Sequence, residues 1–302
     1  MASYSPKYFK ISFASEGVLL VEINRPPANA FSEEAWEELG ATFQKIGEDG
    51  SVRVVVLAST NPRIWSGGID LASFATMTKD STGSLDPARH ALYSKKYLTR
   101  FQAAISAVEN CLHPVIAAVN GAAPGLSIDI MTAADIRYAS SDTRFSVKAC
   151  HLSYLSEWCL TGLQETLLGM AADIGTLARF PKVVGNQSLA RELAFTGRNF
   201  TAEEALSIGL VSKIVPGTRD DVIKAALETA KQIAKNSPIA VAGTKHLMLH
   251  ARDHSVQENL DYTATWNAAM LMGPDTSIAY KGSRKGGPPP VFPPLEKLSG
   301  KL

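Results

Sequence analysis

At 302 residues and 45 % hydrophobic composition, the chain is long enough for one large or two ordinary domains and too apolar to stay disordered. Thirty Lys and Arg against 29 Asp and Glu leave a net charge of +1, which excludes nucleic acid or an anionic membrane recruited by overall charge. No apolar run approaches the roughly 20 residues of a membrane span, so no span is expected.

Tyr8 to Phe13 and Val18 to Ile23 alternate or run apolar around Glu16-Gly17, which predicts a hairpin. Asn24-Arg25-Pro26-Pro27-Ala28-Asn29-Ala30 reads as a loop, because two prolines forbid regular pairing. Ser32 is expected to cap a helix with Glu33 and Glu34 in its first turn and Ala35, Trp36, Leu39, Phe43 and Ile46 on its apolar face. Val52 to Ala58 is a β-branched run, a buried strand. A glycine turn, Trp65-Ser66-Gly67-Gly68-Ile69-Asp70-Leu71, follows it. Thr78 to Asp86 is polar and loop-like, and Ala88 to Asn110 reads as a helix.

Val115 to Val119 is an apolar strand that turns through Asn120-Gly121-Ala122-Ala123-Pro124-Gly125 into the helical pattern Leu126 to Met131. Strand, tight turn and helix start point free N–H groups into one spot, with the positive end of a helix dipole behind them. Such a spot suits a developing negative charge, and the Trp65 to Leu71 turn repeats the logic, so two junctions could serve one oxygen. Ile136 to Ala139, Arg144 to Lys148 and Val211 to Val215 are short strands. Helices are expected at Leu189 to Ala194, after the Thr201 cap, and over Asp220 to Lys235, Ile239 to Ala251 and Val256 to Leu271. Alternating strands and helices indicate an α/β fold. Three cysteines without metal spacing read as reduced thiols of an intracellular protein, and His246 and His250, four apart without an acidic ligand nearby, as a helix surface.

These motifs resemble the crotonase (enoyl-CoA hydratase/isomerase) superfamily, over roughly Tyr8 to Tyr280, and within it the Δ3,5-Δ2,4-dienoyl-CoA isomerases. The carriers are Asn24-Arg25-Pro26, Ser66 to Leu71, Ala117 to Asp135, Ala171 to Leu177, Pro181 to Asn186, Arg252-Asp253-His254-Ser255-Val256, Leu260-Asp261-Tyr262 and Ala264-Thr265-Trp266-Asn267. The resemblance implies an α/β spiral of ββα units over 1–217, a helical oligomerisation region over 218–280 and an extended tail over 281–302. It implies an acyl-CoA thioester substrate, a homotrimer or homohexamer, and no metal or separate cofactor, coenzyme A being part of the substrate. Asp173 would be the base, Glu165 the proton donor and Asp129 a supporting carboxylate. Gly67, Gly68, Ile69, Asp70, Leu71 and Leu126 would hold the thioester, with the N–H groups of Ile69 and Leu126 on its oxygen. Ala28, Asn29 and Ala30 would form the coenzyme A loop.

Read without the resemblance, Asp129 is equally a carboxylate favouring a helix dipole, Asp173 a helix cap and Glu165 a solvated acid. Two features depart from the family pattern. Gly125-Leu126-Ser127 stands where the family has three glycines, adding Cβ atoms where the thioester approaches the backbone. Residues 149–164 intervene before Glu165, and the eight-residue step from Glu165 to Asp173 fits the family only once they are removed. The segment is either a real insertion near the pocket mouth or translated non-coding sequence. Alternative functions on the same scaffold are enoyl-CoA hydratase, for which the Asp at 129 is unsuited, Δ3-Δ2 enoyl-CoA isomerase, and a catalytically weak acyl-CoA binder. The ending Ser299-Gly300-Lys301-Leu302 is similar to a peroxisomal Ser-Lys-Leu address. No presequence is visible, so peroxisome is expected ahead of mitochondrion.

Overall fold

The computed structural model describes residues 4–70, 86–147, 171–284, 287 and 289–295. The chain opens with a hairpin, β1 (Phe9–Ser15) and β2 (Val18–Ile23), turned at Gly17 in the left-handed region. Helix α1 (Glu33–Gly47) leads to β3 (Val54–Ser59), and α2 (Pro87–Asn110) to β4 (Val115–Val119). A short β5 (Ala122–Pro124), α3 (Leu126–Ala133), β6 (Ile136–Ser140) and β7 (Arg144–Ser146) follow. Then come α4 (Thr176–Val183), α5 (Gln187–Thr196), β8 (Asn199–Thr201), α6 (Ala202–Ser207) and β9 (Lys213–Val215). Helices α7 (Arg219–Ala234), α8 (Pro238–Ala251), α9 (Val256–Met270) and α10 (Asp275–Ser283) complete the described elements.

The main sheet runs β1-β2-β3-β4-β6-β9, antiparallel at the first pair and parallel thereafter. Strands β3 and β4 are buried along their whole length, as expected of central parallel strands covered on both faces. Alternation divides their side chains. Val55, Leu57, Val115, Ala117 and Val119 join the large core with α1, α2 and α3, while Val54, Val56, Ala58, Ile116 and Ala118 meet Val222, Ile223, Ala226 and Ala230 of α7. Thus α7, at the start of the region expected to make oligomer contacts, closes one face of the protomer's own sheet. A second sheet, β5-β7-β8, sits beside it, with Phe145 stacked on Phe200.

Local chemistry explains most boundaries. Asp86 caps α2 through the N–H groups of Ala88 and Arg89, and Thr201 and Glu204 form a reciprocal capping box at α6. Ser32 precedes α1 as expected, yet its buried hydroxyl bonds nothing and caps nothing. Helix α10 is not singled out in the sequence reading: residues 275–280 fall in the region expected to be helical, and 281–283 in the tail read as extended. Its mixed Asp-Thr-Ser-Ile-Ala-Tyr-Lys-Gly-Ser composition carries no clear apolar stripe. In the tail, Phe292 is buried and its carbonyl accepts from Arg53 Nη2 at 2.7 Å, so this part is docked on the core.

Candidate active site

Two glycine turns meet at the ends of β3 and β4. Trp65 N–H donates to the Ala122 carbonyl at 2.9 Å, and Ala122 N–H returns a bond of 2.9 Å to the Arg63 carbonyl. Gly121 sits at φ +57, where an added Cβ would lie 2.0 Å from the Arg63 carbonyl oxygen, so only glycine fits this contact. Gly125, at φ 53, turns the chain into α3. On the other turn, Phe31 bridges Ile69: Phe31 N–H bonds the Gly68 carbonyl and Asp70 N–H bonds the Phe31 carbonyl, both at 2.8 Å. That pattern directs the Ile69 N–H away from Phe31. Among the described residues neither the Ile69 N–H nor the Leu126 N–H, first in α3, finds an acceptor. Both predicted donors lie on adjoining turns, with no acceptor among the described residues.

Asp129 lies in the first turn of α3 and is 6 % exposed. Its Oδ1 accepts the Thr176 N–H at 2.5 Å, at the start of α4, so this carboxylate serves the neighbouring helix as well as its own dipole. Burial pushes its pKa up to about 6, against the opposing pull of the Thr176 hydrogen bonds and the Arg179 charge. Asp173, three residues before Thr176, is half-buried, and that burial holds its pKa above the ordinary carboxylate value. It is not a helix cap, since Gly175 occupies that place in α4. Gln102 Nε2 of α2 fixes the Asp173 carbonyl at 2.6 Å.

Asp173 borders a cleft of about 590 Å³ lined also by Gln102, Glu109, Arg179, Lys182 and Arg252. Arg179 is buried. Its Nε donates to Glu109 Oε2 at 3.1 Å and its Nη2 to Ser106 Oγ at 2.8 Å, while Arg252 pairs with the other Glu109 oxygen. The cleft's described lining includes neither Ile69 nor Leu126. Residues 71–85, which follow the first turn, and 148–170, which follow β7, lie outside the described residues, and with them Leu71, Glu165 and the 149–164 segment.

Other expected site residues have local duties. Asp70 is held by Arg25 at 2.7 Å, and Arg25 also bonds the Ala30 carbonyl at 2.8 Å, which ties the two loops together. Gly67 N–H bonds the Ala28 carbonyl at 2.8 Å. Asn29 is buried, with its amide on Ser59 Oγ at 2.8 Å and its oxygen accepting from Arg25 N–H at 2.8 Å, so its side chain supports the loop from inside. The Ser127 hydroxyl donates to the Ser66 carbonyl at 3.1 Å. The Cβ added at Ser127 thus carries a hydroxyl that ties the two turns together. Sequence reasoning gave no role to Gln102, Thr176 or Arg179: Thr176 lies in the quoted Ala171 to Leu177 run, but each acts through a fold contact that spacing does not reveal. No group of three metal-ligating side chains occurs among the described residues, and Cys111, buried, has its thiol pushed up to about 11. His246 and His250 stack on Trp266 and Tyr262 of α9.

The family model of enoyl-CoA hydratase/isomerase matches residues 14–275. A mitochondrial Δ(3,5)-Δ(2,4)-dienoyl-CoA isomerase of Homo sapiens is 41 % identical over 273 residues, 90 % of this chain and 77 % of that protein. A peroxisomal Δ(3,5)-Δ(2,4)-dienoyl-CoA isomerase of Arabidopsis thaliana is 38 % identical over 258 residues, 85 % of this chain and 86 % of that one. The crystal structure of an enoyl-CoA hydratase from Bacillus anthracis superimposes with a TM-score of 0.76 at 25 % identity, covering 96 % of this chain and 99 % of that one. Fold, paired glycine turns and sequence agree: the chain belongs to the enoyl-CoA hydratase/isomerase, or crotonase, family.

Proposed function

We propose that this protein is an isomerase that converts 3,5-dienoyl-CoA to 2,4-dienoyl-CoA in fatty acid β-oxidation. The observation that carries the reading is the junction of α3 and α4. Asp129 seizes the Thr176 amide and so fixes the turn that presents a half-buried, basicity-raised Asp173 to a cleft. The names of the dienoyl-CoA isomerase relatives support the same reaction.

Asp173 takes a proton from C2 of the acyl chain. The electron pair spreads over the thioester oxygen and the conjugated chain to C6. The Ile69 and Leu126 amides stabilise the oxygen, where loss of one donor costs roughly 2.7–4 kcal/mol in the barrier. A proton delivered to C6, for which Glu165 is the proposed donor, leaves double bonds at C2 and C4. The reaction is redox-neutral and uses only proton transfers by carboxyl groups, so it requires no cofactor beyond the coenzyme A of the substrate. Gly67, Gly68 and Asp70 shape the thioester turn, and the backbone of Ala28 to Ala30 borders the coenzyme A. A hydratase would aim two carboxylates at one water, whereas Asp129 is turned onto a backbone N–H.

Purified protein given a 3,5-dienoyl-CoA is expected to raise the absorbance of the conjugated 2,4-dienoyl thioester. Turnover of 2-enoyl-CoA alone would make it a hydratase, and binding without turnover would make it an acyl-CoA binder. The names of the relatives hold both compartments, mitochondrion and peroxisome. We place this chain in the peroxisome, which imaging of an N-terminally tagged full chain would check.

A further inference from the structure

Ser127 is fully buried, and its hydroxyl donates to the Ser66 carbonyl at 3.1 Å. Ser66 Oγ donates onward to the Asn29 carbonyl at 2.8 Å and accepts the Gly68 N–H at 3.2 Å. Asn29 Nδ2 donates to Ser59 Oγ at 2.8 Å, and Ser59 Oγ donates to the Ile64 carbonyl at 2.8 Å. Four buried polar residues are thus linked in succession beneath both glycine turns, Ser127 to Ser66 and Ser66 to Asn29 through backbone carbonyls and Asn29 to Ser59 through side chains. The link from the Ser127 hydroxyl to the Ser66 backbone carbonyl spans from the start of α3 to the residue before the Gly67-Gly68-Ile69 turn.

We infer that Ser127 is a positioning residue that sets the spacing of the Ile69 and Leu126 amides, and so tunes the oxyanion site. Ser127 directly follows Leu126, and Ser66 lies three residues before Ile69. A pair of donors stabilises a developing charge only when held in place before the charge forms. Without the hydroxyl, the two turns keep their backbone bonds at Trp65 and Ala122 but lose the link nearest the donors. The inference rests on reading those amides as the oxyanion site of the proposed reaction.

The test compares the wild type, Ser127→Ala and Ser140→Ala. Ser140 is also fully buried, and its hydroxyl is hydrogen-bonded to Asp142 and Thr143 rather than to either glycine turn. A 3-ketoacyl-CoA bound at two such amides shifts toward its enolate, which absorbs in the near ultraviolet. Ser127→Ala is expected to weaken that enolate band and to lower kcat roughly ten-fold with little change in KM, as misplaced donors lose transition-state rather than ground-state binding. Ser140→Ala is expected to leave band and kcat unchanged, whatever it does to the melting temperature. The inference is overturned by an unaltered band and kcat in Ser127→Ala, by an equal loss in Ser140→Ala, or by a wild type without the band. Failure of the wild type to isomerise a 3,5-dienoyl-CoA counts against the proposed reaction instead, because the band needs only a thioester and the two amides.

Discussion

At Asp129 a buried carboxylate weighs against stability. Its pKa in the folded protein is about 6, above the ordinary Asp value. The folded state therefore binds the proton more tightly than the unfolded chain, and stability falls as pH rises from about 4 through about 6. Above that window the buried charge costs about 3 kcal/mol, at 1.36 kcal/mol per pH unit. Asp129→Asn keeps an oxygen for the Thr176 N–H and removes the charge. It is expected to melt at least a few degrees higher than wild type at pH 8, with the gap closing toward pH 4.5, while isomerase turnover falls. Thermal melts across that range check this, and a variant that is less stable at pH 8 would count against the buried charge. Motif spacing named the candidate site residues. The duties of Asn29, Asp70 and Ser127 were not legible, because what a short polar side chain bonds depends on which loop folds beneath it.

At the scale of elements, the two glycine turns are stitched by reciprocal backbone bonds across Arg63, Trp65 and Ala122. Gly121→Ala would drive a methyl into the Arg63 carbonyl at a left-handed φ. The expected result is a lower melting temperature and loss of most turnover, with wild-type behaviour in both as the contrary outcome. The hairpin, the central strands and most of the helices were predictable from periodicity and caps. Helix α10 was not, for want of an apolar stripe, and neither was the docking of Phe292, which depends on Arg53 from a distant strand junction. The Glu109 carboxylate between Arg179 and Arg252 was equally hidden: it joins α2, α4 and the turn after α8, three stretches far apart in sequence.

For the whole molecule, α9 buries none of its residues within the protomer, and Val256, Leu260, Leu271, Met272 and Tyr280 stand exposed on α9, α10 and the turn between them. We propose that this surface forms the contacts of a homotrimer or homohexamer. Native mass spectrometry is expected to show three or six copies, and Leu260→Glu with Met272→Glu to shift the mass toward monomer; a monomeric wild type would refute the assembly. The same scale contains the central claim, because the proposed relay draws on α3, α4 and both glycine turns together. It is tested most directly by turnover of 3,5-dienoyl-CoA and acyl-CoA affinity in Asp173→Asn. A base lost from the relay is expected to lower turnover roughly 10²- to 10⁴-fold while acyl-CoA still binds; near-normal turnover in that variant would contradict the account.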